Sequence, residues 1–103
     1  MTWAVAAPLA AFGEQEVIGV ECGGRRLALY RLPDGYFATS ETCPHAGAPL
    51  SRGCVVDGFI ECPLHFALFD IRTGAADGAV TATGLKTFRT KIEHGAIHVD
   101  LDP

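Results

Sequence analysis

The 103-residue sequence is short of charged residues and has no long apolar run. Charged residues make up 19% of the chain and hydrophobic residues 49%, which is typical of a globular protein and excludes a disordered one. Without a run of about twenty apolar residues, the sequence predicts no membrane-spanning helix. The N-terminus has neither the basic flank of a secretory signal nor a twin-arginine pair, so we expect a soluble, cytoplasmic protein.

Basic residues are also scarce. Eight Lys and Arg residues face twelve Asp and Glu residues, which gives a formal charge of −4. Binding to nucleic acid needs a basic surface, so we expect no nucleic-acid partner. The acidic balance fits a protein partner that presents a basic patch. The length allows one domain, residues 1–103, in which a metal would help to stabilise a small core.

A long helical period is missing, whereas turn signals recur at short intervals, and this pattern predicts an all-β fold of antiparallel sheets. A short turn of helix is the most that we expect at residues 8–12, because Pro8 interrupts the Ala-rich start. Trp3 is predicted to lie in an N-terminal strand. The other predicted strands are 17–22, 27–32, 36–39, 54–56 and 59–61 around Asp57-Gly58, and 86–93 and 96–101 around His94-Gly95.

Two segments do not have the pattern of strands, and each begins with Cys-Pro followed by a histidine. They are Cys43-Pro44-His45-Ala46-Gly47-Ala48-Pro49-Leu50 and Cys62-Pro63-Leu64-His65-Phe66-Ala67-Leu68-Phe69-Asp70. Because an antiparallel hairpin between them brings its two ends together, we expect the two loops to be neighbours. Thiolates and imidazoles suit iron–sulfur clusters and zinc alike. The candidate metal ligands are Cys43, His45, Cys62 and His65.

The other two cysteines, Cys22 and Cys54, have no histidine nearby and are predicted to be small buried hydrophobic residues. His94 and His98 lie on polar positions of the last hairpin, where we expect solvated side chains. Asp70 could orient a metal ligand or could cap a loop, and the sequence favours neither.

The ligand spacing is a poor match to a zinc finger. Zinc sites of the Cys₂His₂ type usually separate the cysteines by about two to four residues and the histidines by about three to five. Here each pair joins one cysteine to one histidine, and sixteen residues separate His45 from Cys62. A structural zinc module for protein interaction nevertheless remains an alternative.

The pattern Cys-x-His, sixteen residues, Cys-x-x-His resembles the Rieske cluster-binding motif. In that family the two cysteines hold one iron and the two histidines hold the other. The segment Phe69-Asp70-Ile71-Arg72-Thr73-Gly74 is similar to the one that follows the second loop of the family. The resemblance implies a Rieske-like fold, with two cluster-binding loops flanking a hairpin. It also implies one [2Fe–2S] cluster per chain, held by Cys43, His45, Cys62 and His65.

Within that family the chain resembles the stand-alone Rieske ferredoxins of bacterial aromatic-ring-hydroxylating dioxygenase systems. Respiratory Rieske subunits carry an extra cysteine in each loop, where this chain has Ala48 and Leu64, and hydroxyl groups where it has Ala67 and Phe69. The resemblance therefore implies a midpoint at the low end of the Rieske range of about −150 to +300 mV. Leu50, Leu64 and Pro49 would shield the cluster, and Phe66 would offer an apolar contact to a partner.

The implied function is one-electron transfer in aromatic hydrocarbon catabolism, with no catalytic residue in this chain. The implied partners are a flavoprotein ferredoxin reductase that uses NAD(P)H and the terminal Rieske oxygenase of a dioxygenase or monooxygenase system. We expect a monomer. A second alternative is a small Rieske-like subunit of a nitrite-reductase-type complex.

Overall fold

A computed structural model describes residues 1–44, 46–64, 66–78 and 80–102, so His45, His65, Ala79 and Pro103 lie outside the described residues. Strands β1 to β10 span Trp3–Pro8, Val17–Cys22, Arg25–Leu32, Gly35–Ser40, Cys54–Val56, Phe59–Glu61, Leu68–Asp70, Thr87–Phe88, Thr90–Glu93 and Ala96–Asp100. Two 3-10 helices span Leu9–Phe12 and Leu50–Arg52. The predicted all-β fold class is confirmed, and among the described residues no helix is long and apolar enough to cross a membrane.

The strands form three antiparallel sheets within the described part of the chain. Their strand orders are β1-β10-β9, β2-β3-β4-β8 and β5-β6-β7. The β5–β6 hairpin predicted around Asp57-Gly58 is confirmed, with Val55 opposite Ile60. This hairpin belongs to the third sheet, which follows the first cysteine segment and holds the second between β6 and β7.

Three tight hairpin turns explain much of the strand order. Their central residues are Gly23-Gly24, Asp57-Gly58 and His94-Gly95, with positive φ at both positions of each turn. Positive φ at both positions matches the right-handed twist of the flanking strands, and glycine adopts it without steric cost. The local sequence therefore determines where the chain reverses between β2 and β3, β5 and β6, and β9 and β10.

Strand β3 is buried on both faces and separates two hydrophobic cores. Leu27 and Leu29 pack in the first core, which includes the inward-facing residues of β10. Ala28 and Tyr30, on the opposite face, pack in the second core together with Cys43. Alternate residues of a strand face opposite sides of the sheet. A strand that is covered on both faces therefore needs a nearly continuous apolar run.

The predicted continuous strand over residues 86–93 is wrong, because the chain changes sheets at Arg89. Strand β8 pairs with β4, whereas β9 pairs with β10. The Arg89 carbonyl accepts a hydrogen bond from the Asp100 N–H at 3.0 Å. The apolar–polar alternation continues through this residue, so the pattern does not reveal the change of pairing partner.

Leu68–Asp70 was predicted to be part of a loop and instead forms β7. It pairs with β6, with Ile60 opposite Phe69, and completes the third sheet. A three-residue strand is too short to show a periodic pattern. Its formation depends on the burial of Phe69, which is fully covered in the second core.

Asp100 is a buried carboxylate that joins the N-terminus, β10 and Arg89. Its Oδ1 accepts hydrogen bonds from the N–H groups of Thr2 and Asp102 at 2.9 and 3.0 Å, and its Oδ2 accepts one from the Arg89 guanidinium at 2.9 Å. The Thr2 hydrogen bond, supported by those from Asp102 and Arg89, lowers the pKa of Asp100 to about 2 despite its burial. The ionised form is thus the one that stabilises the fold.

We predict that Asp100→Asn lowers the thermal unfolding midpoint at pH 7 and that this difference from the wild type shrinks as the pH falls from about 4 towards 2. The folded pKa is below the unfolded value of about 3.9, so the stabilisation is present above that value and is lost during protonation. Circular dichroism melts between pH 2 and pH 7 measure the difference. Asp57→Asn, at an exposed turn residue, is the control, and a difference independent of pH would contradict the account.

Candidate metal centre

The two cysteine segments form loops that are closed in the same way. The Cys43 N–H donates to the Ala48 carbonyl at 2.9 Å, and the Cys62 N–H donates to the Ala67 carbonyl at 2.8 Å. We call residues 43–48 the Cys43 loop and residues 62–67 the Cys62 loop. In each loop the backbone of the cysteine binds the residue five positions later, so each cysteine is fixed at the start of a closed turn.

The fifth residue of each loop has a positive φ. This residue is Gly47 in the Cys43 loop, with φ of 70°, and Phe66 in the Cys62 loop, with φ of 58°. Glycine adopts this conformation freely, whereas a bulky residue in it costs roughly 1–3 kcal/mol. The Phe66 side chain is 68% exposed, so hydrophobic burial does not offset that cost.

Cys43 and Cys62 meet in the second core, as the hairpin argument predicted. Both are buried and free, and the Cys62 thiol interacts with the Cys43 thiol. Burial raises the pKa of the Cys62 thiol, a hydrogen bond from the Leu64 backbone lowers it, and the neighbouring Cys43 thiol raises it. Two soft sulfur donors facing each other in an apolar setting, with a backbone N–H aimed at one of them, fit an iron–sulfur cluster.

The histidines predicted as ligands, His45 and His65, lie outside the described residues. Each belongs to one of the two loops by sequence, two positions after Cys43 and three positions after Cys62. The structure therefore brings together the two predicted thiol ligands. The predicted role of the imidazoles stays a prediction.

The surroundings of the two thiols are apolar. Ala48, Leu50, Ala67 and Phe69 are all buried. The predicted shielding by Leu50 fits this burial. The Leu64 side chain is 50% exposed, and its predicted shielding role stays a prediction.

The remaining cysteines differ from each other. Cys22 is buried as predicted, and its thiol donates to the Val5 carbonyl at 3.6 Å. Cys54 is exposed, so the prediction that it is buried is wrong. It begins β5, an edge strand of the small third sheet, in which outward-facing residues remain uncovered. His94 is exposed and His98 is half-buried.

Asp70 caps the turn after β7. Its Oδ1 accepts hydrogen bonds from the N–H groups of Arg72 and Thr73 at 2.8 and 3.2 Å. Such a short-range bond to its own turn is typical of aspartate at the start of a loop. Of the two roles left open by the sequence, the geometry supports the loop cap.

Two polar contacts near the loops were not predicted from the sequence. Arg72 forms an ion pair with Asp34, with its Nε 3.0 Å from Oδ2, and its guanidinium lies 5.2 Å from the centre of the Phe37 ring. This pair joins the segment after the Cys62 loop to the β3–β4 turn. The second contact is between Glu41 and Ser51, which flank the Cys43 loop. The only sequence signal of this contact is the glycine inside β2.

Two of the described side chains of the Cys62 loop are apolar and exposed. Leu64 and Phe66 are large exposed hydrophobic residues within it. Asp, Glu, Lys and Arg are absent from the sequence of both loops, although the chain as a whole carries a charge of −4. Such a surface is suited to contact with another protein.

Comparison with protein families agrees with this arrangement. The family model described as the Rieske [2Fe-2S] domain matches residues 2–89. The chain belongs to the Rieske family of iron–sulfur proteins, and the predicted family is confirmed.

Ferredoxins of dioxygenase systems are among the proteins similar to this chain. The ferredoxin component of the naphthalene 1,2-dioxygenase system of Pseudomonas putida is 38% identical over 99 residues, which cover 96% of this chain and 95% of that protein. The ferredoxin of carbazole 1,9a-dioxygenase from Nocardioides aromaticivorans superimposes with a TM-score of 0.87 at 28% identity, covering 96% of this chain and 97% of that one.

A third match is a chain in the complex of reduced oxygenase and oxidized ferredoxin of carbazole 1,9a-dioxygenase. Its TM-score is 0.83 at 30% identity, and the superposition covers 94% of this chain and 91% of that chain. These three relatives are thus ferredoxins of dioxygenase systems and not the oxygenases themselves. They confirm the prediction that the chain is an electron-transfer ferredoxin and not the catalytic component.

Proposed function

We propose that one [2Fe–2S] cluster per chain is held by Cys43, His45, Cys62 and His65. The observation that carries this proposal is the meeting of two buried, free thiols at the start of two identically closed loops. The sequence supplies one imidazole in each loop, which matches the mixed ligand set of Rieske centres. When bound, such a cluster accepts and donates one electron.

The chain acts as a one-electron carrier in a multicomponent oxygenase system. It takes electrons from a flavin-dependent NAD(P)H reductase and delivers them to a terminal Rieske oxygenase. The support is the set of ferredoxin relatives, one of which is present in a complex with an oxygenase. Residues 1–103 form a single Rieske domain, in keeping with relatives of nearly the same length. We propose that this domain works as a monomer in the cytoplasm.

The residues of this chain have two roles in the proposed function: some bury the cysteine ligands, and others contact the partners. Apolar side chains exclude water from the thiols, and the Leu64 backbone N–H donates a hydrogen bond to the Cys62 sulfur. Ala67 and Phe69 offer no hydroxyl group to the sulfur atoms, so a redox titration is expected to give a midpoint at the low end of the Rieske range, which runs from about −150 to +300 mV. The exposed, uncharged surface at Leu64 and Phe66 would meet the partners.

The ligand assignment predicts that Cys43→Ser and Cys62→Ser each lose most of the iron and the visible absorption, because serine oxygen is a poor replacement for a soft thiolate. Cys54→Ser, at the exposed cysteine, is the matched control and should keep both. His45→Ala and His65→Ala should also lose the cluster, whereas His94→Ala should not. Iron analysis and visible spectra of the purified variants make the comparison.

Full iron content in Cys43→Ser, or loss of iron in Cys54→Ser, would contradict the assignment. A zinc module, the alternative, would lose zinc and not iron in the same cysteine variants. The two proposals are therefore separated by the metal that is lost.

The conformation of Phe66 predicts a role in partner contact. Phe66 combines a positive φ with a side chain that is 68% exposed, so it costs strain and adds little burial to the fold. We predict that Phe66→Gly keeps the visible spectrum and the thermal stability, since Gly47 occupies the equivalent place in the other loop. Electron transfer to at least one partner should slow by about tenfold, as expected for loss of an aromatic interface residue.

Stopped-flow mixing with the reductase and with the oxygenase measures the two rates. Val5→Ala, at an exposed hydrophobic residue of β1, is the control. If both rates of Phe66→Gly equal those of the control, Phe66 has no role in partner contact.

A further inference from the structure

A buried carboxylate lies where the Cys43 loop joins the sheet. Glu41 precedes Cys43 by two residues and is only 5% exposed. Ser51, just beyond the loop, donates its N–H to Oε1 at 2.7 Å and its hydroxyl to Oε2 at 2.5 Å. Both oxygens act as acceptors, which is the behaviour of an ionised carboxylate.

The backbone joins the same two ends of the loop. The Leu50 N–H donates to the Glu41 carbonyl at 2.7 Å, and Thr42 bridges to Pro49. Residues 41 and 42 are thus tied to residues 49–51 by backbone and side-chain bonds together. We call this connection the neck of the Cys43 loop.

Gly19 in β2 provides the space for the neck. A Cβ atom at this position would lie 2.3 Å from Glu41 Oε2 and 2.7 Å from Ser51 Oγ. The φ of Gly19 is not positive, so the backbone conformation does not require glycine. Glycine in the interior of a strand weakens that strand. Here the close approach of the Glu41 carboxylate explains why the position is occupied by glycine.

The charge of Glu41 acts on the core that holds the cysteines. None of the ion pairs between described residues includes Glu41. Burial raises the pKa of Tyr30, the hydrogen bond with Thr39 lowers it, and the negative charge of Glu41 raises it. Tyr30 packs in the same core as Cys43 and Cys62, and Glu41 precedes Cys43 by two residues, so the negative charge borders the core that contains both thiols.

We infer that Glu41 is a positioning residue that holds the Cys43 loop through Ser51 and lowers the reduction potential by its negative charge. This inference rests on the proposed cluster. A fixed negative charge opposes the arrival of an electron nearby, and the opposition is strong where water is excluded. Glu41 would therefore give this ferredoxin a lower midpoint than its ligands and sulfur hydrogen bonds alone would set.

The test compares Glu41→Gln with Glu21→Gln in the cluster-containing protein. The glutamine at position 41 keeps an acceptor for the Ser51 N–H but removes the charge. Glu21 is an exposed residue of β2 that lines the same surface pocket as Glu41, so its replacement removes an equal but solvated charge from the same region. Potentiometric titration should give a more positive midpoint for Glu41→Gln than for both the wild type and Glu21→Gln, with the visible spectrum retained.

Ser51→Ala tests the positioning role separately, because it leaves the carboxylate in place and removes one of its hydrogen bonds. Loss of one such bond should speed the decay of visible absorbance on warming by about fivefold. The midpoint of Ser51→Ala should move less than that of Glu41→Gln. Hydrogen-exchange mass spectrometry should also show faster exchange of the peptide that contains residues 49–53.

Equal midpoints for Glu41→Gln and Glu21→Gln would overturn the inference, as would an unchanged decay rate for Ser51→Ala. A Glu41→Gln protein that folds by circular dichroism but holds no cluster supports the positioning role. If that variant does not fold, the decay rate of Ser51→Ala decides. A wild-type protein without iron would instead refute the proposed function, so the two failures are distinguishable.

Discussion

The meeting of Cys43 and Cys62 in one apolar core is the interaction on which the rest of the site depends. Neither thiol is close to the other in sequence, and the β5–β6 hairpin is what brings them together. Each is fixed by a backbone hydrogen bond that closes its own loop. Because both loops have the same closure and a positive φ at the same position, the site is built from two copies of one local geometry.

Strand β3 provides the support behind that site. One of its faces packs on the core shared with β10, and the other packs on the core that contains both cysteines. The structure thus separates a scaffold, which carries the N-terminus and Asp100, from a site end whose two cysteine loops contain no Asp, Glu, Lys or Arg. Such a division lets the chain keep its acidic surface while it presents an apolar contact around the proposed electron path.

Much of this arrangement was predictable from local signals. Asp57-Gly58 and the paired Cys-Pro segments indicate the hairpin and its flanking loops, and the ligand spacing in these segments is specific enough to predict the family. The change of sheet at Arg89 was not predictable, because side-chain alternation does not name the pairing partner. Nor was the exposure of Cys54, which depends on its place in an edge strand. The Glu41–Ser51 contact gave only an indirect sign, the glycine inside β2.

The central claim is that this chain holds a Rieske-type cluster, and the most direct test is a visible absorption spectrum of the aerobically purified wild-type protein, with iron, sulfide and zinc analysis. The account predicts a red-brown protein with about two irons and two sulfides per chain, whose absorption falls on addition of dithionite. A colourless protein that contains zinc and neither iron nor sulfide would contradict it.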